Sequence, residues 1–357
     1  MENPKKFTVV FYVEYPYYFP HFLPIGEVFE QNGHRVVYVL SEKQNRENMT
    51  SIAKKNGIEY TFSDELIFSE QTDAVLFANP FEKIEKVQGL SVFLEHGIGT
   101  KSTSFFPFVK QVDLYLVEGE HKYRYMKQNY PKHASKLAKV GFSKLDPIVN
   151  FSEKSKIDLL QKYCLDPEKK TILYAPTFFP SSIERMKDSF PMDFSGYNII
   201  VKPHYLSYER KRYKGQRKKL FHWSRYPNCV VLPLDEYNIV PFLAISDVMI
   251  SDESSAMFEF AALNKPVVSN QYFKLRWSYF LFPWKLKRRI DSSKNRFRTM
   301  FDIALNYQET IRLTKLGLKD PKRKEKERLM FQKEICGDVD GMSSYRIYGE
   351  ILKRLML

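Results

Sequence analysis

Residues 247–268 have the sequence DVMISDESSAMFEFAALNKPVV. The apolar run at 248–250 predicts a buried strand, which leads into a serine-rich turn and then an apolar helix. A second apolar run begins at Pro266, so strand, helix and strand follow one another within this stretch. This order is typical of a parallel sheet, in which a helix crosses from one strand to the next.

The same alternation of short apolar strands and polar or amphipathic stretches extends over most of the chain. A helix at 23–32 ends at Gly33, a plausible C-cap, and a polar-faced helix at 151–165 separates two such series. We therefore predict an α/β fold with two Rossmann-like, doubly wound lobes, 1–150 and 151–320. Residues 321–357 are charged and then helical, and we expect the last helix to cross back onto the first lobe. The other predicted strands are 7–13, 35–40, 74–77, 91–94, 114–117, 139–140, 171–174, 197–201, 229–232 and 266–268.

Composition narrows the class of protein. The 357 residues are 43% hydrophobic and 27% charged, as in globular proteins with room for two cores. No Walker lysine loop and no GxGxxG motif follows the first strand, which argues against a P-loop NTPase and a dinucleotide oxidoreductase. The three cysteines are far apart, and no leader or spanning helix is evident, so we expect a reduced, cytoplasmic chain.

The net charge of +14 favours a polyanionic partner: nucleic acid, an anionic membrane surface or a phosphate-rich substrate. Charge alone does not choose among these three.

The sequence EHGIGTK at 95–101 directly follows a predicted strand. His96 is a candidate base for an attacking hydroxyl, since histidine titrates near neutral pH. Gly97 lets backbone N–H groups approach an anion, and Lys101 adds positive charge. The alternative is a structural histidine beside a glycine turn.

Two strand ends of the second lobe suggest a nucleotide diphosphate site. Lys202 and His204 follow the strand at 197–201 and could stabilise a pyrophosphate; the alternative is a surface lysine and a capping histidine. Ser254 or Ser255 is a good N-cap, and serine hydroxyls with helix N–H groups form an anion site. The alternative there is an ordinary capped helix. Three more residues are candidates for binding the nucleotide: Asp252, Glu259 and Thr177. Glu259 could reach a ribose diol, and Thr177 follows the strand at 171–174.

Taken in this order, the motifs resemble those of the CDP-glycerol glycerophosphotransferase family. The resemblance covers about residues 90–350 and includes the late segments FEFAALNKP at 258–266 and DGMSSYR at 340–346. The earlier motifs are HG at 96–97, GFSKLD at 141–146, ILYAPT at 172–177, KPH at 202–204 and DVMISDESS at 247–255.

The resemblance implies a GT-B fold, with two Rossmann-like lobes facing a cleft, and an enzyme that builds teichoic-acid-like polymers. This enzyme moves a polyol phosphate from a CDP-activated donor to a hydroxyl of a cell-surface glycan or lipid-linked acceptor, and CMP leaves. Glycerol phosphate is the polyol phosphate that we expect first. By the family pattern, His96 is the base, His204 contacts the pyrophosphate, Ser254 and Ser255 hold phosphate oxygens, and Glu259 or its neighbourhood holds the ribose. No metal and no cofactor are expected, because lysine, histidine and helix N–H groups can neutralise the charge.

Two further segments are candidates for the acceptor or the membrane. The basic stretch that contains Arg210, Arg212 and Lys218 is a solvated loop or a site for a phosphorylated or lipid-linked acceptor; nucleic acid is disfavoured because no nucleic-acid motif accompanies it. Trp277 and Trp284 precede a run of cations, a composition that suits either peripheral docking on the inner face of a membrane or interior packing.

The sequence leaves two other functions open. A GT-B glycosyltransferase with a nucleotide-sugar donor would use the same serine-rich turn and Glu259. A non-catalytic module that binds anions or lipid is the third hypothesis, and a ribitol phosphate donor is also open.

Overall fold

The computed structural model describes residues 5–98, 103–252, 254–274 and 297–356. By its internal contacts the chain divides into two compact units. The first comprises Met1–Val149 with Lys333–Leu357, and the second comprises Asn150–Gln332. In the ranges just given, no helix is long and apolar enough to cross a bilayer.

The first unit contains a seven-stranded sheet in the order β3-β2-β1-β4-β5-β6-β7, with every neighbouring pair parallel. Strands β4 and β6 are buried along their whole length, because continuous apolar runs suit a sheet that is covered on both faces. The core includes Val10, Val75, Phe93 and Tyr115. The strands are β1 Thr8–Val13, β2 Arg35–Leu40, β3 Tyr60–Thr61, β4 Ala74–Phe77, β5 Leu90–Leu94, β6 Leu114–Val117 and β7 Leu137–Lys139.

Helices are numbered along the whole chain, and five α-helices belong to the first unit. They are α1 Phe19–Gln31, α2 Arg46–Lys55, α3 Glu120–Asn129, α4 Asp146–Val149 and, from the end of the chain, α13 Ser343–Leu355. The first unit also has 3₁₀ helices at Pro16–Tyr18, Glu65–Phe68, Ile84–Lys86, Thr103–Lys110, Pro131–Lys136 and Ser143–Leu145.

The second unit contains a six-stranded sheet in the order β10-β9-β8-β11-β12-β13, again parallel throughout. Ile172, Tyr174, Ile250 and Trp223 lie in its core. The strands are β8 Thr171–Ala175, β9 Asn198–Val201, β10 Cys229–Val231, β11 Val248–Ser251, β12 Val267–Asn270 and β13 Asp302–Ala304. The helices are α5 Glu153–Lys162, α6 Phe190–Asp193, α7 Tyr205–Glu209, α8 Lys214–Trp223, α9 Val240–Ile245, α10 Ser255–Ala262, α11 Tyr307–Lys319 and α12 Glu325–Phe331, with a 3₁₀ turn at Lys211–Tyr213. A π-helical turn Gln332–Cys336 follows α12 at the point where the chain passes into the first unit.

Most predicted strands are confirmed within a residue or two, and the differences have simple causes. Strand β7 begins two residues earlier than predicted, because Leu137 and Ala138 are buried. Two strands were missed: β3 has only two half-buried residues, and β13 has three, with an exposed isoleucine in the middle. Runs this short give no periodic pattern in the sequence.

The end of α1 and the last helix α13 pack together in the first unit. Gly33 has a φ of +80°, the left-handed conformation that ends helices, as the sequence predicts. The following His34 contacts the Tyr348 hydroxyl at 3.2 Å from its Nε2, and Tyr348 packs edge-on against Phe29 at 4.9 Å between ring centroids. A histidine and two aromatic rings therefore join the two helices.

Two sequence motifs meet where α13 begins. The Asp146 carboxylate accepts hydrogen bonds from the backbone N–H groups of Ser343, at 3.2 Å, and Ser344, at 2.6 Å. Arg346 donates to the carbonyl of Val140 at 3.1 Å. Gly141 has a φ of +88°, and a Cβ on it would lie 2.5 Å from the Ser343 hydroxyl oxygen. The motifs at 141–146 and 340–346 therefore hold the last helix to the sheet.

We predict that Asp146→Ala lowers the free energy of unfolding by about 1–2 kcal/mol, because two N–H groups of the first turn of α13 lose their charged acceptor. Asp146→Asn should lose less, since its amide oxygen can still accept one bond. Urea unfolding at neutral pH measures both changes.

The matched control is Asp158→Ala, which removes an exposed carboxylate from α5 and should leave the unfolding curve unchanged. Equal unfolding curves for Asp146→Ala and the unaltered protein would show that this cap is not a stabilising contact.

Candidate functional site

His96 lies two residues after β5, at the carboxyl edge of the first sheet. Its Nδ1 is 2.6 Å from the carbonyl oxygen of Ala78, which follows the neighbouring strand β4. A carbonyl can only accept, so Nδ1 carries the hydrogen and Nε2 of the neutral ring carries the lone pair. The half-buried ring packs against Tyr18 at 4.7 Å and Tyr17 at 5.7 Å between centroids. These contacts hold the imidazole in one orientation.

Gly97 is buried directly after this histidine, and its predicted contact with the donor stays a prediction.

A buried group of charges lies beside the histidine in the same unit. Lys122 of α3 reaches Glu95 at 2.8 Å and Glu118 at 3.1 Å, and its side chain is 11% exposed. Tyr115 donates to Glu95 at 2.9 Å. Glu95 and Glu118 directly follow the adjacent strands β5 and β6, so Lys122 joins two loops at the carboxyl edge of the sheet.

These charges perturb one another. Burial raises the pKa of Glu118, and nearby Glu95 adds to this against the opposite effect of Lys122. Burial alone would lower the pKa of Lys122, but the two carboxylates outweigh it and raise that pKa. The sequence reasoning named no role for these three residues. The sequence does contain a signal for them. Glu95 and Glu118 each follow an apolar run, and Lys122 comes four residues after Glu118.

Three loops meet at the carboxyl edge of the second sheet, because β9, β8 and β11 are neighbours there. The ring of Phe178, after β8, lies 4.8 Å from the ring of His204, after β9. The Ser251 hydroxyl, at the end of β11, donates to the carbonyl of Ala175, at the end of β8, at 2.6 Å. The structure thus brings together the loops that carry Thr177, Lys202 and the serine-rich turn.

His204 caps the short helix α7. Its Nδ1 accepts a hydrogen bond from the backbone N–H of Leu206 at 3.2 Å. Burial, helped by the charge of Lys202, lowers the pKa of His204 to about 4, so the ring is neutral near pH 7. Since Nδ1 accepts, Nε2 carries the hydrogen and is a donor. The capping histidine that the sequence offered as an alternative is present, and the cap leaves the other nitrogen as a donor.

Asp252 is fully buried at the end of β11 and anchors the loop after β8. Its carboxylate accepts from the hydroxyl of Ser181 at 3.1 Å and from the backbone N–H of Ser182 at 3.2 Å; the Ser182 hydroxyl donates at 2.5 Å. Burial raises its pKa to about 7, against these hydrogen bonds, which lower it. Its observed contacts position the loop, and a direct contact with a donor stays a prediction.

The serine-rich turn differs from the prediction in one respect. Ser254 occupies the N-cap position of α10 with an extended backbone, but its hydroxyl bonds to the Ser251 hydroxyl at 2.8 Å and makes no side-chain cap. The prediction of Ser254 as the N-cap residue is therefore confirmed, but its hydroxyl bonds to Ser251 instead of capping a backbone N–H of the helix. Ser255 is the first helical residue, and Glu259 is buried one turn later, at 1% exposed.

The basic stretch of the second unit divides into structural and exposed residues. Arg217 donates to the carbonyls of Ser207, Tyr208 and Arg210, and Lys219 donates to the carbonyl of Met186. The side chains of Arg210, Arg212 and Lys218 are exposed. Lys101, Trp277 and Trp284 lie outside the described residues, as do all of residues 277–289.

Within the part of the chain that the structure describes, no three or more His, Cys, Asp or Glu side chains are grouped in a way that could hold a metal ion. The expectation of a reaction without a metal stays a prediction.

Comparison with known families identifies the chain. Residues 86–353 match the sequence profile of the CDP-glycerol:poly(glycerophosphate) glycerophosphotransferases, and this match spans well over half of the chain. The chain belongs to this family. The matched range contains His96, His204 and the serine-rich turn, and it leaves out all of the first four strands.

Curated relatives are similar over part of their length. The chain is 31% identical over 170 residues to a teichoic acid glycerol-phosphate primase of Bacillus spizizenii, an alignment that covers 45% of this chain and 40% of the primase. It is 32% identical over 127 residues to a teichoic acid ribitol-phosphate primase of the same organism, covering 32% and 30% of the two chains. The chain thus spans about two fifths or less of the length of these relatives.

The fold is that of a solved polymerase. The wall teichoic acid polymerase TagF superposes with a TM-score of 0.64 at 16% identity, over 98% of this chain and 89% of that one. This likeness confirms the predicted GT-B fold class, with its two parallel α/β sheets.

We predict that Lys122→Met lowers the free energy of unfolding by about 3–5 kcal/mol at pH 7, because two buried carboxylates lose their counter-charge. The loss should shrink as the pH falls towards 5. Without the lysine, burial holds the folded-state pKa of Glu118 above its unfolded value, so acid protonates the native state first and stabilises it. Melting temperatures from pH 5 to pH 8 measure this trend.

Lys127→Met on the same helix is the control, since that side chain is exposed and should cost little at any pH. A loss in Lys122→Met that does not vary with pH would contradict the assignment of buried, ionised partners.

Proposed function

We propose that this chain transfers glycerol phosphate from CDP-glycerol to a hydroxyl of a teichoic-acid-type acceptor, with release of CMP. Support comes from the family match, which covers the motifs of both units, and from the names of the relatives, which are glycerol-phosphate and ribitol-phosphate primases. A structure of a TagF variant includes CDPG, which supports a CDP-activated donor for this fold.

The observation on which the proposal rests is the opposite hydrogen bonding of two histidines. Nδ1 of His96 donates to a carbonyl, so its Nε2 is an acceptor. Nδ1 of His204 accepts from a backbone N–H, so its Nε2 is a donor. Phosphoryl transfer from a nucleotide diphosphate to an alcohol needs one group that takes the proton of the alcohol and one that stabilises the leaving phosphate.

The proposed step is a displacement at phosphorus. The acceptor oxygen forms a bond to the phosphorus that carries glycerol, and the bond from that phosphorus to the bridging oxygen of CDP-glycerol breaks. The hydroxyl proton passes to Nε2 of His96. The electron pair leaves with the bridging oxygen, which becomes a phosphate oxygen of CMP and accepts a hydrogen bond from Nε2 of His204.

Positive charge for the donor comes from residues of the second unit. Lys202 is half-buried beside His204, and its charge contributes to the lowered pKa of that histidine. The N-terminus of α10 provides backbone N–H groups, and Ser255 a hydroxyl, for phosphate oxygens. Ser254 places this helix end as its N-cap residue, and its hydroxyl donates to Ser251. Glu259, inside this helix, and Thr177, after β8, are kept as predicted donor contacts.

The donor and the acceptor in this proposal are chosen on different grounds. The donor is CDP-glycerol rather than CDP-ribitol in this proposal because the longer alignment is to the glycerol-phosphate primase. A phosphorylated, glycan or lipid-linked acceptor fits the exposed basic residues Arg210, Arg212 and Lys218. Peripheral docking on an anionic membrane stays a prediction for residues 277–289.

We predict that CDP-glycerol raises the melting temperature of the protein more than CDP-ribitol, CMP or a UDP-sugar at equal concentration. A ligand at a hundred times its Kd stabilises the native state by about 2.7 kcal/mol, so the shift is measurable by thermal denaturation.

Selective stabilisation by the UDP-sugar would replace the proposal with a glycosyltransferase. Equal response to every nucleotide, together with binding to anionic vesicles, would support a non-catalytic module instead.

We predict different defects for the two histidine variants in assays of CMP release. His96→Ala should lower kcat by roughly 10²–10⁴-fold, the usual contribution of a general base, while CDP-glycerol binding is unchanged. His204→Ala should lower kcat by roughly 10²–10³-fold, the cost of one lost donor to the developing charge. Because the pKa of His204 is about 4, its removal should leave the shape of the pH–rate profile between pH 6 and 8 unaltered.

His133→Ala, in the 3₁₀ helix Pro131–Lys136, is the control and should keep full activity. Transfer at full rate by folded His96→Ala protein would end the assignment of that histidine as the base.

A further inference from the structure

A pocket lies at the carboxyl edge of the first sheet, away from the motifs discussed above. Its volume is about 560 Å³, large enough for a small-molecule group. The family match begins at residue 86, so every residue that lines the pocket precedes it. The walls come from the ends of β1, β2 and β3 and the start of α2, and they include Tyr12, Ser41, Lys43, Arg46, Phe62 and Ser63.

The wall of the pocket also contains two carboxylates, Glu42 and Asp64, and each of them has a cationic partner. Arg46 pairs with Glu42 at 3.3 Å, and Lys83 lies 3.9 Å from Asp64. Lys43 makes no ion pair among the described residues, so its charge is not balanced by a neighbouring carboxylate there. All of these side chains are exposed, and exposed ion pairs are weak enough for an anionic ligand to compete with them.

Apart from these two carboxylates, the pocket has several polar groups placed as donors. The guanidinium of Arg46 lies over the ring of Phe62 at 4.3 Å, a contact that orients its N–H groups. The hydroxyl oxygens of Ser41 and Ser63 accept from the backbone N–H groups of Lys43 and Glu65, both at 3.3 Å. Each hydroxyl hydrogen is then left to donate, and donors around an uncompensated lysine suit a phosphate.

The pocket is on the same edge of the sheet as His96, because all the strands are parallel. From β2 to β5 there are three strand spacings, which amount to about 14 Å at ~4.8 Å each. Between them, Asn79 after β4 donates to Glu14 after β1 at 2.9 Å, so the intervening edge is polar. A ligand that is held in the pocket can therefore extend along this edge to the imidazole.

We propose that this pocket binds a phosphate-bearing polyol unit of the acceptor, one that lies away from the hydroxyl that reacts. The inference rests on the proposed function and adds an acceptor subsite to it. Lys43 and Arg46 bind the phosphate, and the serine hydroxyls donate to its oxygens. A carboxylate such as Glu42, displaced from Arg46, can accept from a polyol hydroxyl.

The test compares sn-glycerol 3-phosphate with uncharged glycerol, by ligand-observed NMR, with CMP present throughout to occupy the donor site. The unaltered protein should bind glycerol 3-phosphate and not glycerol. The double variant Lys43→Gln/Arg46→Gln should bind it roughly 10- to 100-fold more weakly, the effect of losing charge-assisted hydrogen bonds. Lys43→Arg/Arg46→Lys, which keeps both charges, should retain part of the affinity.

The matched control is Lys54→Gln/Lys132→Gln, which removes two exposed charges of the same unit outside the pocket and should bind as the unaltered protein does. Two results would overturn the proposal. One is equal binding of glycerol 3-phosphate by the Lys43→Gln/Arg46→Gln and Lys54→Gln/Lys132→Gln proteins, and the other is binding of glycerol as tight as that of its phosphate. In the transfer assay, the Lys43→Gln/Arg46→Gln protein should show a higher KM for the acceptor at unchanged kcat, because the lost binding is uniform.

The two proposals fail separately. Binding of glycerol 3-phosphate needs neither CDP-glycerol nor turnover, so weaker binding by the Lys43→Gln/Arg46→Gln protein supports the subsite in either case. Failure of CDP-glycerol to bind to any form of the protein would reject only the proposed function. Conversely, normal acceptor KM in the double variant, with active transfer, rejects the subsite alone.

Discussion

Parallel pairing of every strand in both sheets is the constraint on which the rest of this structure depends. Because the strands of one sheet point the same way, each loop that follows a strand emerges at the same edge, whatever its place in the sequence. In the second unit this brings residues 176–182, 202–204, 252 and 254–255 together. In the first unit it aligns the pocket at β2 and β3 with the histidine after β5. Chemistry at such an edge needs only short motifs, since the sheet supplies their proximity.

Loops at an open edge must be held in place, and here buried charge holds them. Asp252 fixes the loop after β8, and Lys122 joins the loops after β5 and β6. Such groups are expensive to bury, as the raised pKa values of Asp252 and Glu118 show. Their hydrogen bonds and ion pairs offset that cost and give each loop one conformation. The role proposed for His96 would gain from this rigidity, because a displacement reaction is sensitive to small errors of position.

The sequence was informative where a single property decides the structure. Apolar runs identified eleven of the thirteen strands found in the described residues, and Gly33 marked the end of α1. It was less informative where partners are distant in the chain. Nothing near Asp146 indicates that its carboxylate meets Ser343 and Ser344, almost two hundred residues later. Likewise, serine is a residue type that often caps helices through its hydroxyl, but the hydroxyl of Ser254 bonds to Ser251, which lies next to it in the fold. Edge strands of two or three residues are set by the sheet they join, not by their own pattern.

The family motifs separate into two physical kinds once their contacts are known. The segments at 141–146 and 340–346 bind each other and serve the fold, whereas the histidines at 96 and 204 sit at sheet edges with one nitrogen engaged by the backbone. Both histidines follow a strand and look alike in sequence. What distinguishes them is the backbone group that meets Nδ1: a carbonyl after β4 in one case, and the N–H of a helix's first turn in the other. That single difference makes Nε2 a hydrogen-bond acceptor in the first unit and a donor in the second. The proposed roles of the two histidines therefore follow from their backbone contacts rather than from the identity of the side chain.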